Sequence, residues 1–217
     1  MNRNYQKELD RIIQRQEGRR PRLLLHSCCG VCSSAVLEYL AQYFELTLLW
    51  YNPNLYPEAE YERRLAALRE IIEKMGLADR VAIQIEPWRS EDYRARTQGL
   101  ENEPEGGARC TECFRLRLRE TARAACHGGY DFFCTTLTLS RHKDAARINA
   151  LGEQIAREEG AVWLPADFKK QGREMRATEL SEQYGIYRQL YCGCEYSLQR
   201  REQKESTLKK NEKGEET

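Results

Sequence analysis

No apolar run in the 217-residue chain approaches membrane-spanning length, for which about 20 consecutive apolar residues are needed. The opening MNRNYQKELDRIIQRQEGRR is charged throughout and lacks the apolar stretch of a secretory signal. Both absences predict a soluble, cytoplasmic protein with no membrane partner. An excess of charge of one sign is missing too. Lys and Arg number 35 and Asp and Glu 34, a net +1. That total does not announce a nucleic-acid binder, although it leaves room for a local basic patch. There is no internal repeat, and no low-complexity segment before the charged end.

Cysteine is what the chain does have. Structural disulfides are rare in the cytosol, so clustered cysteines there point to metal or redox chemistry. Of nine cysteines, seven are clustered: Cys28, Cys29 and Cys32, then Cys110 and Cys113, then Cys192 and Cys194. Cys126 and Cys134 stand alone and read as buried free thiols, since cysteine packs as a small hydrophobe. The first two groups begin helices, where the helix N-terminus favours thiolates. A CxxC pair from each supplies four soft ligands together, which suit tetrahedral zinc or a four-cysteine iron–sulfur cluster. The adjacent pair Cys28-Cys29 favours the cluster, because neighbouring sulfurs reach two irons of a cube more easily than one zinc ion. Cys192-Gly193-Cys194 is too short for the usual metal knuckle. Its Cα atoms can fall within the roughly 4.4–6.8 Å that a disulfide accepts, and Gly193 frees the backbone for the tight ring. Reversible dithiol–disulfide exchange is the favoured reading, with metal ligation as the alternative.

Hydrophobic periodicity predicts helices over 4–17, 31–43, 57–76, 110–129 and 142–160, and strands over 22–27, 44–52, 81–87, 130–136 and 161–165. Residues 88–109 read as a helix followed by a mobile loop, and helical patterns return at 173–191 and 195–203. Alternating strands and helices predict an α/β fold with a parallel sheet flanked by helices and a helical C-terminal part. The expected organisation is one catalytic domain over 1–203, with an inserted helical segment near 88–129, and a charged flexible tail over 204–217. Ligands in such sheets bind outside the carboxyl ends of the strands. The first cysteine cluster, the Asn52 turn, Thr135–Ser140 and Asp167–Lys170 all follow strands, so all fall on that edge.

Other residues there carry two readings each. Asp167 is a metal ligand or proton donor, or a helix cap. Lys169, Lys170, Arg173 and Arg176 form a basic stretch suited to nucleic-acid phosphates, or a solvated turn. Tyr184, Tyr187 and Tyr191 recur at helical spacing as a stacking surface or a core stripe, and Arg188 beside them meets a phosphate or a carboxylate. Asn52 and Asn54 flank Pro53 in a turn. Thr135, Thr136 and Ser140 can hold a substrate through hydroxyl and backbone groups, and Lys143 opens the next helix. Tyr61 and Arg64 have no role legible from sequence. His26 reads as a satisfied structural group.

Several strings together resemble the QueH-type, cobalamin-independent epoxyqueuosine reductases: LLLHSCCGVCSSAVLEYL (23–40), YNPNLYPEAEYERR (51–64), RCTECFRLRL (109–118), FFCTTLTLSRHKD (132–144) and DFKKQGREMRATELSEQYGIYRQLYCGCEYS (167–197). They run in the family's order across most of the domain. The resemblance implies an adenine nucleotide α-hydrolase-like (HUP-type) fold. It implies a [4Fe-4S] cluster on Cys28, Cys29, Cys110 and Cys113, and a redox-active disulfide between Cys192 and Cys194. It implies reduction of epoxyqueuosine to queuosine in the tRNA anticodon loop with an external electron donor and no cobalamin. A further mononuclear iron would take Cys32 and Asp167 as candidate ligands. Residues 187, 188, 169, 170, 173, 52, 136 and 140 are the expected substrate contacts. The family's usual Ala-Pro between the second and third cysteines is Gly30-Val31 here, which predicts a more flexible loop. Two other classes compete. A PP-loop tRNA-thiolating enzyme shares the fold but needs a Ser-Gly-Gly-x-Asp-Ser-like phosphate loop where this chain has HSCCGVC, which argues against ATP. A non-enzymatic zinc module leaves the C-G-C pair without a purpose.

Overall fold

The computed structural model describes residues 3–214, with side chains to Leu208. The element order is α1 (Tyr5–Gln14), β1 (Arg22–His26), α2 (Gly30–Leu40), β2 (Glu45–Trp50), α3 (Glu58–Lys74), β3 (Val81–Ile85), α4 (Ser90–Thr97), α5 (Ala108–His127), β4 (Phe132–Thr135), a 3₁₀ turn (Thr136–Leu139), α6 (Ala145–Glu159), α7 (Arg173–Gln183) and α8 (Glu195–Gly214). The sheet is parallel, in the order β3-β2-β1-β4. β1 is central and wholly buried after Arg22, which is why RLLLH is continuously apolar rather than alternating. Its Leu24 lies level with Thr47 of β2 and Phe133 of β4.

α2 packs on α3 and α7, and α5 packs on α6, β1 and β4. With right-handed crossovers, these two groups cover opposite faces of the sheet. The order reverses between β1 and β4, so the crevice outside their carboxyl ends is the topological switch point. The fold class is thus the expected α/β sheet between helices.

Three boundaries differ from the sequence reading. The fifth strand, 161–165, is reduced to a single parallel bridge, Phe133 to Trp163. Trp163 instead stacks edge-on against Phe133 and donates to Asn149 of α6, so its side chain serves the sheet's cover. The helix expected over 173–191 stops at Gln183; Gly185 at φ 60 turns the chain away, and 184–194 is irregular. The segment from 204, expected as a flexible tail, continues α8 as helix to Gly214. α4 and the whole of α5 occupy the segment 88–129.

Candidate active site

The site begins where β1 ends. His26 Nδ1 lies 2.9 Å from Thr135 Oγ1 of β4, and its Nε2 lies 3.2 Å from the Tyr51 carbonyl beyond β2. Asn52 Nδ2 donates to the Ser27 carbonyl at 2.8 Å. One histidine and one asparagine thus tie three strand ends together. Burial, helped by the charge of Arg117, lowers the His26 pKa to about 4, so the ring is neutral and structural, as its isolation in the sequence suggested.

Immediately after it, Cys29 is the N-cap of α2, its Sγ accepting from the Cys32 backbone N–H at 3.3 Å. The thiols of Cys28, Cys29 and Cys32 all lie within 4.8 Å of one another. Hydrogen bonds from Cys29 and Cys32 hold the Cys28 thiol well below its usual pKa, while the bond with Cys28, together with burial, pushes Cys29 up to about 12. Gln189 Nε2 also donates to Cys29 Sγ, at 3.2 Å. Gly30 is packed under α3: a Cβ there would stand 2.7 Å from the Ala67 carbonyl oxygen. Gly30-Val31 is therefore a close-contact point, not the loosened loop expected.

A second thiol group faces the first. Cys110, Cys192 and Cys194 line one small cavity with Glu105, Arg109, Ser197 and Arg200, and Cys113 packs beside Cys194 and Tyr93. Two cations stand among the thiols. Arg117, buried one turn along α5 from Cys113, donates to Cys113 Sγ at 3.2 Å and to its carbonyl. Burial opposes its charge, and the Cys113, Cys28 and Cys192 sulfurs more than offset that. Burial likewise opposes the charge of half-buried Lys143, whose pKa is raised by Cys192, Cys28 and Cys32. Lys143 does not open a helix: Asp144 caps α6, which starts at Ala145. Arg117 escaped the sequence reading, although its i+4 spacing from Cys113 placed both on one helix face.

The C-G-C segment is held from outside. Arg64 of α3, 2% exposed, pairs with Glu60 at 2.7 Å and donates to the carbonyls of Cys192 at 3.0 Å and Tyr191 at 3.1 Å. Tyr56 N–H donates to the Gly193 carbonyl at 2.8 Å. Gly193 has φ 128, and a Cβ on it would meet Leu55 at 2.4 Å and Arg64 at 3.0 Å, so glycine is required twice over. All nine cysteines are free thiols.

The family model described as Epoxyqueuosine reductase QueH matches residues 23–200. The chain belongs to the QueH family. It is similar to the Epoxyqueuosine reductase QueH of Staphylococcus epidermidis, 40% identical over 200 residues, covering 89% of this chain and 84% of that one. For the protein of the same name from Streptococcus pyogenes serotype M1 the identity is 38%, with 91% and 80% covered. For that from Thermotoga maritima it is 30%, with 86% and 95% covered. Among solved structures, the U34-tRNA thiolase NcsA from Methanococcus maripaludis with its [4Fe-4S] cluster aligns at a TM-score of 0.49 and 15% identity, over 89% of this chain and 69% of that one.

The remaining residues expected to act in this QueH-family chain divide by position. Thr136 is buried, its Oγ1 4.0 Å from Cys28 Sγ. Ser140 accepts from the His142 N–H at 3.3 Å, shaping the turn that carries Lys143. Asn52 keeps a buried amide oxygen without a partner, as Asn54 does. Asp167 Oδ1 is buried without a hydrogen bond, 3.3 Å from the Lys169 ammonium, which itself donates to the Lys143 carbonyl. Lys170 is exposed.

Arg173 is not brought to the site. It is buried against the Tyr39 ring and donates to Gln6 of α1. Arg176 forks onto Glu38, nine residues along α2 from Cys29 and hence about 13 Å away at 1.5 Å per residue. Both are ties between α7 and the far end of α2. Tyr187, off the helix, donates to Glu60 and stacks under Arg63, while Arg188 is exposed and paired with Glu182. The tyrosines therefore make no helical stripe. Cys134 is buried as expected, but Cys126 is exposed, because it sits in the last turn of α5 just off the line Leu118, Ala122, Ala125 that faces the core.

No helix among the described residues is long and apolar enough to cross a membrane.

Proposed function

We propose that this chain removes the epoxide oxygen of epoxyqueuosine in the tRNA anticodon loop, leaving queuosine and water. The observation that carries the reading is the gathering of seven cysteines and two cations at the switch point of a QueH-family chain. The donors suit an iron–sulfur group: soft thiolates, with Arg117 and Lys143 placed to offset the negative charge of a thiolate-ligated cluster. Cys28, Cys29, Cys110 and Cys113 would hold a [4Fe-4S] cluster, and Cys32 with Asp167 are the candidates for an additional iron ion. Such groups supply electron transfer and Lewis acidity when bound. The reading calls for neither ATP nor cobalamin.

Cys192 and Cys194 carry the two reducing equivalents. Burial pushes the Cys192 thiol up in pKa, so it arrives protonated. The pair gives up two electrons and two protons as an S–S bond forms. Both C–O bonds of the epoxide break, the C=C bond forms, and the oxygen leaves as water. An external electron donor then returns the disulfide to two thiols. Lys169 and Lys170 would meet tRNA phosphates at the edge of the site, with Tyr187 and Arg188 on the neighbouring loop. Asn52, Thr136 and Ser140 would bound the entry for the modified base. The test is direct: anaerobic protein, a reductant and tRNA bearing epoxyqueuosine should yield queuosine on nucleoside analysis. Iron-replete protein that leaves the epoxide intact rejects the reading.

A further inference from the structure

We infer that Arg64 is a positioning residue that sets the balance between the dithiol and disulfide forms of Cys192 and Cys194, an inference that rests on the redox reading of that pair. Three consecutive carbonyls of the segment are claimed by other elements: Tyr191 and Cys192 by the Arg64 guanidinium, Gly193 by the Tyr56 N–H. The guanidinium is itself anchored, on Glu60, whose carboxylate also accepts from the Tyr187 hydroxyl at 2.9 Å. Cys194 is closed off on its other side by Ser197, which accepts from the Gly193 N–H and donates to the Cys194 carbonyl. In the backbone so held, both thiols open onto one cavity.

A free C-x-C segment samples many conformers, few of which close the ring. Fixing the carbonyls removes that freedom while the thiols are still reduced, so ring closure loses less entropy. Only a planar fork reaches two carbonyls and a carboxylate at once; a lysine keeps the charge beside Glu60 but not the fork. The hydrogen bonds of Arg64 go to Glu60 and to the two carbonyls, so its hold on the Cys192–Cys194 pair passes through the backbone, while its charge also meets Cys29 and Cys28.

The experiment equilibrates the iron-loaded protein with glutathione and glutathione disulfide. The exchange consumes one glutathione disulfide and releases two glutathione molecules for each protein disulfide formed. Peptide mass spectrometry then counts free Cys192 and Cys194. In Arg64→Lys the equilibrium constant for disulfide formation should fall about tenfold, with iron content unchanged. Glu60→Gln, which keeps the fork but loosens its anchor, should move the constant in the same direction by a smaller factor and covers the case in which Arg64→Lys fails to fold. An unchanged constant in whichever folded, iron-replete variants are obtained overturns the inference, even if their melting temperatures fall. If the wild-type protein itself forms no reversible Cys192–Cys194 disulfide, the redox reading of the pair fails and the inference falls with it.

Discussion

At the scale of single residues, the seven clustered cysteines differ less in chemistry than in what surrounds them. Cys28, Cys29 and Cys32 share hydrogen bonds among themselves, whereas Cys192 and Cys194 sit on a segment whose Tyr191 and Cys192 carbonyls are held by Arg64 of α3. That difference separates their expected phenotypes. Cys194→Ser should keep full iron content and lose at least about 10³-fold in turnover, as expected when one member of a reacting pair is removed; loss of iron from this variant would make the pair metal ligands instead. Cys28→Ala should lose iron and turnover together, because its sulfur is one of three gathered within 4.8 Å of one another; full metal content in that variant would remove Cys28 from the ligand set.

At the scale of elements, the site depends on how closely α2 and α3 approach. Gly30 begins α2 directly beneath the Ala67 carbonyl of α3, and the same α3 carries Glu60 and Arg64 to the C-G-C segment. Gly30→Ala pushes the two helices apart at backbone atoms that have no soft direction to yield. It should destabilise the fold by about 1–3 kcal/mol, the usual range for overpacking, measured as a shift of the denaturation midpoint. A variant as stable as wild type would show that the approach relaxes freely.

At the scale of the whole molecule, the tRNA must meet the carboxyl edge of the sheet if the modified base is to reach the thiols. Lys169 and Lys170 lie at that edge; Arg173 and Arg176 serve the opposite end of α2. Lys169→Glu with Lys170→Glu should therefore weaken tRNA binding and flatten the slope of log affinity against log salt by about 1–2, at roughly 0.7–0.9 per lost phosphate contact. Arg173→Gln with Arg176→Gln should lower the melting temperature and leave the slope alone. Identical slopes for both double variants would refute this division. α8 tests another whole-molecule property. Its residues from Glu202 to Leu208 are exposed, so a chain ending at Gln203 should melt within about 2 °C of the full protein, since exposed positions away from caps and networks contribute little.

Much of this was determined locally and can be read without coordinates. Apolar runs broken by Gly and Pro mark β1 to β4, amphipathic repeats mark the helices, and a cysteine pair opening a helix declares itself by spacing alone. The central place of RLLLH in the sheet follows from its lack of alternation. What the tertiary structure decided are matters of long-range encounter. The 161–165 run is as strand-like as its neighbours, yet Trp163 is drawn onto Phe133 and Asn149, and only one bridge forms. The basic stretch 169–176 looks uniform in the sequence. A turn at Gly172 divides it, sending two lysines to the active edge and two arginines into contacts with α1 and α2. Arg64 is one arginine among many until the chain brings residues 191 and 192 against it, 127 and 128 positions later. Hydrophobic periodicity reports which face of an element is buried. It carries no information about which polar groups will meet across that burial, because those partners are set by the packing of whole helices against one sheet.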